Sequence, residues 1–314
     1  MKVLFMGTPD FAATVLARLI NSGHEIIGVV TQPDKQKGRA QEVAFSPVKE
    51  LALEHGLTLY QPLKVREQEF LDLIQTIKPE VILVAAFGQI LPKALLDIPP
   101  LGCINVHASL LPKYRGAAPI QYSIIDGETE TGITIMYMGV GIDTGDIILQ
   151  KKLPITPQET GGSLFEKMAV LGAELLIEAL IKIQNKTASR IPQENDKATY
   201  VKTIDKNMGK IDFTQPARKI EQLIRGLNPW PSAYTFLEGK TIKFWQAEVE
   251  AVVEQGELSL FSPGEVAQVR KDAIVIMTGD GLLVVKELQL EGKKRMMADA
   301  YLRGYSIKVG TKLG

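Results

Sequence analysis

Cysteine is nearly absent. The chain of 314 residues has one, Cys103, together with three histidines and two tryptophans. A single cysteine excludes an intramolecular disulfide and any multi-cysteine metal site. Three scattered histidines lack the spacing of a zinc centre, so no metal is expected. Charge of one sign is also missing: 36 Lys and Arg balance 36 Asp and Glu, for a formal net charge of zero. No overall field draws the molecule to nucleic acid or membrane, and a polyanionic partner has to be met by a local basic patch. Long apolar runs are missing too, since none approaches the ~20 residues of a bilayer span. The opening Met1-Lys2-Val3-Leu4-Phe5-Met6-Gly7 turns at Thr8-Pro9-Asp10, too short for a secretory leader with an apolar core of ~7–15 residues. The expected compartment is the cytoplasm, with no membrane partner, and the expected state is a monomer.

What is present is ordinary globular composition, 45% hydrophobic and 23% charged, in a length suited to about two domains. In the first half, short β-rich apolar runs alternate with longer amphipathic patterns. Strands are read at 3–6, 25–31, 57–60, 81–87, 102–107, 132–138 and 147–153; helices are read at 9–22, 67–77, 120–125 and 163–183. Ser46 before Pro47 starts another helix, with Ser as N-cap and Pro at the first helical position. This alternation predicts an α/β fold with a doubly wound, mostly parallel Rossmann-like sheet, its ligands outside the carboxyl ends of the strands. Periodicity stops over 185–206, a polar stretch containing Pro192. The expected division is a catalytic domain at 1–186, a linker at 187–206 and a second domain at 207–314. Beyond the linker a helix at 216–226 precedes short strands at 233–236, 241–247, 264–269, 273–277 and 282–288. That spacing suits a small OB-like β-barrel.

Asn105-Val106-His107-Ala108-Ser109-Leu110-Leu111-Pro112 begins at the end of an expected buried strand. Strand alternation puts Asn105 and His107 on one face, which at the carboxyl end of the sheet looks into the ligand crevice. An Asn amide can donate to a developing oxyanion, and an imidazole titrates near neutral pH. A carboxylate to orient the ring is found in Gly139-Val140-Gly141-Ile142-Asp143-Thr144-Gly145-Asp146, where glycines let the backbone approach a ligand. Asp143 is the first choice; Asp146, just before the next strand, reads as a turn or cap residue. His24 and His55 lie near expected helix ends and read as surface or capping residues, and Cys103 in its apolar run reads as core. Gly7-Thr8-Pro9 lacks the Gly-x-Gly-x-x-Gly phosphate cradle, and Ser109 lies outside a Gly-x-Ser-x-Gly elbow. These residues mark Asn105, His107 and Asp143 as a reaction centre and leave several carbonyl reactions open.

Asn105-x-His107-x-Ser109-Leu110-Leu111-Pro112-x-x-Arg115-Gly116, followed by Gly141-Ile142-Asp143-Thr144-Gly145-Asp146, resembles the folate-dependent formyltransferases. Met6-Gly7-Thr8-Pro9-Asp10-Phe11, Gln32-Pro33-Asp34, Asn228-Pro229-Trp230-Pro231 and Gly292-Lys293-Lys294-Arg295-Met296 extend the resemblance along the whole chain. They narrow it to the branch that acts on initiator tRNA. The resemblance implies 10-formyltetrahydrofolate as formyl donor and co-substrate, and methionyl-initiator tRNA as acceptor. It further implies that Asn105 and protonated His107 meet the oxyanion while Asp143 holds the imidazole. Folate contacts are implied at Ser109, Leu110, Leu111 and Pro112, with Phe87, Gly88, Ile90, Leu91, Val140, Gly141 and Ile142 shaping the pterin pocket. The basic loop carrying Lys35, Lys37 and Arg39 is implied to enter the acceptor stem.

A second tRNA contact is expected at Lys293, Lys294 and Arg295, the densest basic cluster in residues 286–312, where seven basic residues face three acidic ones. Trp230, stiffened by the prolines on either side, is expected to pack the helix of the second domain on its barrel. Rival functions are a formyltransferase for a small amine or sugar nucleotide, a hydrolase that releases formate from the same folate, and a catalytically silent RNA-binding protein. A nicotinamide dehydrogenase lacks its glycine fingerprint.

Overall fold

The computed structural model of the chain describes residues 1–37, 42–251 and 260–314, with the backbone alone at 35–37, 42 and 43. The chain divides into two compact units. One comprises Met1–Pro119, Glu130–Pro154 and Phe165–Val201; the other comprises Ile120–Thr129, Ile155–Leu164 and Lys202–Gly314.

The first unit is built on seven strands, β1 (Lys2–Gly7), β2 (Glu25–Val30), β3 (Leu59–Tyr60), β4 (Val81–Ala85), β5 (Cys103–His107), β6 (Glu130–Tyr137) and β7 (Ile147–Pro154). Their order in the sheet is β7-β6-β5-β4-β1-β2-β3. β1 pairs in parallel with β2 and β4, β2 with β3, and β4 with β5. β6 and β7 add an antiparallel edge. The sheet is thus mostly parallel, as the alternating elements predict. Val3, Leu4, Phe5 and Met6 are wholly buried, as are Ile82 and Leu83. Strands covered on both faces read as continuous apolar runs, which is how these appear in the sequence.

Helices α1 (Asp10–Ile20), α2 (Pro47–Glu54), α3 (Gln68–Ile77) and the long α4 (Gly161–Gln184) lie between and after these strands. α1 buries Phe11, Ala12, Val15, Leu16 and Leu19, one stripe at helical spacing. α2 starts as its sequence predicts, with the Ser46 hydroxyl accepting the Lys49 N–H at 3.1 Å and Pro47 in the first turn. Phe70, Leu71 and Ile74 of α3 pack with Leu4, Met6, Ile82, Val84 and Cys103 in one core. β2 lies on one side of β1 and β4 on the other, the reversal of strand order beside which a doubly wound sheet is expected to take its ligands, at the carboxyl ends of the strands.

The second unit holds α5 (Ala217–Gly226), strands β8 (Ala233–Leu237), β9 (Lys240–Glu250), β10 (Val266–Val269), β11 (Ile274–Met277), β12 (Leu282–Leu290) and β13 (Met296–Met297), and α6 (Ala298–Gly304). The strands are antiparallel in the order β8-β9-β12-β11-β10, with β13 paired to β12. Ile220 and Ile224 of α5 share a core with Phe244, Ile276, Val285, Leu288 and Tyr301. Among the described residues no pairing joins β8 to β10, so the sheet is open. No helix of the described residues is long and apolar enough to cross a membrane.

Candidate active site

β5 is held between β4 and β6, with Asn105 opposite Met136 and His107 opposite Thr134. Its central position fixes which way its side chains point. Asn105 is half-buried between buried neighbours, and His107 is 6% exposed. The loop between β6 and β7 brings in the carboxylate. Asp143 adopts the left-handed conformation, φ 51°, which Asp tolerates better than most residues. Its Oδ2 lies 3.6 Å from His107 Nδ1 and accepts the Gly116 N–H at 2.8 Å. The other ring nitrogen, Nε2, lies 2.9 Å from the Tyr114 carbonyl. Both ring nitrogens therefore face acceptors. A neutral imidazole has one N–H and serves one of them; the protonated ring serves both. Among the described residues no side-chain hydrogen bond uses the Asn105 amide.

The turn after β5 is ordered from inside. The Thr134 hydroxyl donates to the Ser109 carbonyl at 2.6 Å and accepts the Leu111 N–H at 3.1 Å. Ser109 is fully buried and donates to the Lys113 carbonyl at 2.7 Å, while Leu111 packs with Met136 and Ile147. Leu110 and Pro112 remain half-buried. Phe87 and Leu91 are core residues. The Phe87 carbonyl accepts from Thr8 Oγ1 at 3.2 Å and Gln32 Nε2 at 3.1 Å, tying together the loops that leave β1, β2 and β4. Ile90, Val140 and Ile142 are exposed apolar side chains. Gly88 has φ 85°, and Gly141 is exposed in the Asp143 loop.

Asp146 lies 3.6 Å from Arg190, an ion pair beside β7, so the carboxylate facing His107 is Asp143. His55 caps α2 and His24 is half-buried. Cys103 is core, and burial pushes its thiol up to about 12. Among the described residues no group of three His, Cys, Asp or Glu side chains is placed to hold a metal.

Residues 1–180 match the family model described as formyl transferase, and residues 203–306 match the formyl transferase C-terminal domain. The chain is 48% identical over 314 residues to the methionyl-tRNA formyltransferase of Lachnospira eligens, covering 100% of each chain. It is 49% identical over 311 residues to that of Agathobacter rectalis, covering 99% of each.

The chain belongs to the methionyl-tRNA formyltransferase family.

Among solved structures, this formyltransferase is similar in fold to the sugar 3N-formyl transferase WlaRD, solved in the presence of dTDP and 5-N-formyl-THF. The TM-score is 0.67 at 20% identity, over 94% of this chain and 99% of that one. HypX from Aquifex aeolicus in complex with tetrahydrofolic acid gives a TM-score of 0.63 at 17% identity, over 96% of this chain and 47% of that one.

Other residues singled out from the sequence belong to the second unit or fall at or outside the limits of the described residues. Arg39 falls outside them, and of Lys35 and Lys37 only the backbone is described, paired antiparallel with Glu42–Ala44. Lys293, Lys294 and Arg295 lie between β12 and β13. Arg295 gives two bonds to the Glu287 carboxylate, 2.7 and 2.5 Å, and its guanidinium lies 4.6 Å from the Trp245 ring. Lys293 Nζ lies 5.9 Å from the Tyr305 ring, and Lys294 is exposed.

Trp230 departs from expectation: it is 56% exposed rather than packed, while Leu227 and Ala233 on either side of it in the chain are fully buried. A polar cluster beside Asp143 has no counterpart among the residues expected from the sequence. Arg115 is buried and bonded to Gln193, Asn195 and Tyr200, all from the stretch read as a linker. Arg115 was visible in its motif; isolated polar residues in an aperiodic stretch carry no signal of their own.

Proposed function

We propose that this chain transfers the formyl group of 10-formyltetrahydrofolate to the free amine of methionyl-initiator tRNA, yielding N-formylmethionyl-tRNA for translation initiation. Its full-length identity of 48–49% to curated methionyl-tRNA formyltransferases carries this reading. The sugar formyltransferase of similar fold stands much further away, at 20% identity.

The neutral amine attacks the formyl carbon, a C–N bond forms, and the carbonyl oxygen becomes an oxyanion. Asn105 offers that oxyanion its free amide N–H groups. His107, in its protonated form, adds positive charge beside it; a direct bond from Nε2 requires the oxyanion to replace the Tyr114 carbonyl. Asp143 faces the imidazole and accepts, directly or through water, the proton that leaves the amine. Collapse breaks the bond from carbon to the folate nitrogen, which as it leaves takes up the proton released by the amine. The exposed Ile90, Val140 and Ile142 suit the faces of a flat heteroaromatic ring, which supports their assignment, with Phe87, Gly88, Leu91 and Gly141, to the pterin pocket. Buried Ser109 and Leu111 would then act by shaping the turn, leaving Leu110 and Pro112 to touch the folate.

In this reading residues 1–186 carry the chemistry, and 207–314 form an OB-like unit that binds tRNA through Lys293, Lys294 and Arg295. Lys35, Lys37 and Arg39 supply a second grip, and the protein works as a cytoplasmic monomer. The test is turnover with 10-formyltetrahydrofolate and charged initiator tRNA. Asn105→Ala and His107→Ala are each expected to lower kcat by about 10²–10³ while the circular dichroism spectrum stays native. Near-normal turnover by either folded variant would remove that residue from the mechanism.

A further inference from the structure

Arg115 is 1% exposed, and a buried guanidinium has to be fully hydrogen-bonded. Its partners come from one short segment. Nε and Nη2 donate to Gln193 Oε1 at 3.1 and 2.7 Å, Nη2 donates also to Asn195 Oδ1 at 2.8 Å, and Nη1 donates to the Tyr200 hydroxyl at 3.0 Å. None of these three partners is a carboxylate. Arg115–Gly116 also pair with Tyr200–Val201 as a short parallel ribbon.

The arrangement fixes the Gln193 amide. Its oxygen is held by the guanidinium, so its nitrogen points the other way and donates to the Asp143 carbonyl at 2.8 Å and the Gly145 carbonyl at 2.7 Å. A cation on the amide oxygen polarises the group and makes its N–H donors stronger. The carbonyls it holds belong to the loop in which Asp143 takes its left-handed φ. The Asp143 carboxylate is held separately, by the Gly116 N–H beside Arg115. Backbone and side chain of Asp143 are thus both tied to the Arg115 ribbon.

We propose that Gln193, clamped by Arg115, is a positioning residue for formyl transfer that holds the Asp143–Gly145 backbone so that the Asp143 carboxylate faces His107. The inference rests on the reading of His107 and Asp143 given above. It makes the 191–201 segment a strap across the reaction centre.

Gln193→Glu separates positioning from folding. The variant keeps an oxygen for Arg115 but sets a second oxygen, with no hydrogen, against the two loop carbonyls. Gln193→Leu removes both sides of the clamp. With 10-formyltetrahydrofolate and charged initiator tRNA, Gln193→Glu is expected to lose about tenfold to hundredfold in kcat. KM for both substrates should stay within about threefold, and the melting temperature within about 2 °C. Gln193→Leu is expected to lose at least as much kcat. A merely structural role predicts the opposite pattern, a lower melting temperature with kcat retained. If folded Gln193→Glu keeps wild-type kcat while Asn105→Ala and His107→Ala lose theirs, the positioning role is wrong and the reaction centre stands. If those two also keep turnover, the reaction centre itself is wrong.

Discussion

Side chains at the proposed reaction centre take their properties from what surrounds them. His107 sits with an acceptor at each ring nitrogen, the Tyr114 carbonyl and the Asp143 carboxylate, and the side-chain amide of Asn105, two residues before it, has no hydrogen-bond partner among the described residues. Four residues before His107, Cys103 shows the contrary case. Its thiol is buried and pushed up to about 12 by desolvation, so almost no thiolate forms near neutral pH. Iodoacetamide at pH 8 is therefore expected to leave the folded protein unlabelled under conditions that fully alkylate the chain in guanidinium chloride. Mass spectrometry reads the difference, and equal labelling rates would show an open, reactive site. The strand pattern made this contrast legible: Cys103, Asn105 and His107 occupy alternate positions, and only the two nearest the strand end carry polar side chains.

At the level of elements, the loop between β6 and β7 and the helix α5 each depend on a close fit. A Cβ on Gly145 would fall 1.7 Å from the Tyr137 carbonyl oxygen, so Gly145→Ala has to shift the loop that carries Asp143. A displacement of about 1 Å at a catalytic group costs up to ~10²-fold in rate. The expectation is a kcat lower by about tenfold or more, with the melting temperature lowered by a few degrees as the overpacked loop shifts. An unchanged kcat would mean that the loop tolerates displacement. In α5, Glu221 and Arg225 form a mostly buried ion pair, and Arg225 also donates to the Glu159 carbonyl at 2.9 Å. Removing one member leaves an uncompensated buried charge, so Glu221→Ala is expected to cost about 3–5 kcal/mol in urea denaturation. Replacing the pair by Leu and Met should recover most of that loss, because the penalty lies in the unpaired charge rather than in the pair's own worth.

For the whole molecule, zero net charge means that tRNA cannot be gathered by a global field. Binding has to rest on local lysines and arginines displacing counterions, so log affinity for initiator tRNA should fall with log salt at about −0.9 per phosphate contact. Changing both Lys293 and Lys294 to alanine is expected to make that slope shallower by about two contacts. Filter binding across a salt series measures it, and an unchanged slope would take those lysines out of the interface. Arg295 is a poorer candidate for the same test, since its guanidinium is already engaged by Glu287 and Trp245.

The sequence by itself determined the periodic features. Continuous apolar runs specified strands buried on both faces, the Ser46-Pro47 pair specified a helix start, and alternation along β5 specified that Asn105 and His107 share a face. These are local consequences of backbone geometry, and local patterns report them. The tertiary structure decided what depends on residues far apart in the chain. It chose Asp143 over Asp146 by placing one against His107 and the other against Arg190. It left Trp230 exposed and buried Leu227 and Ala233 instead. It brought Gln193 to Arg115, 78 positions away, and through it to Asp143. A hydrogen bond between distant polar residues leaves no periodic trace, so only the folded chain reveals it.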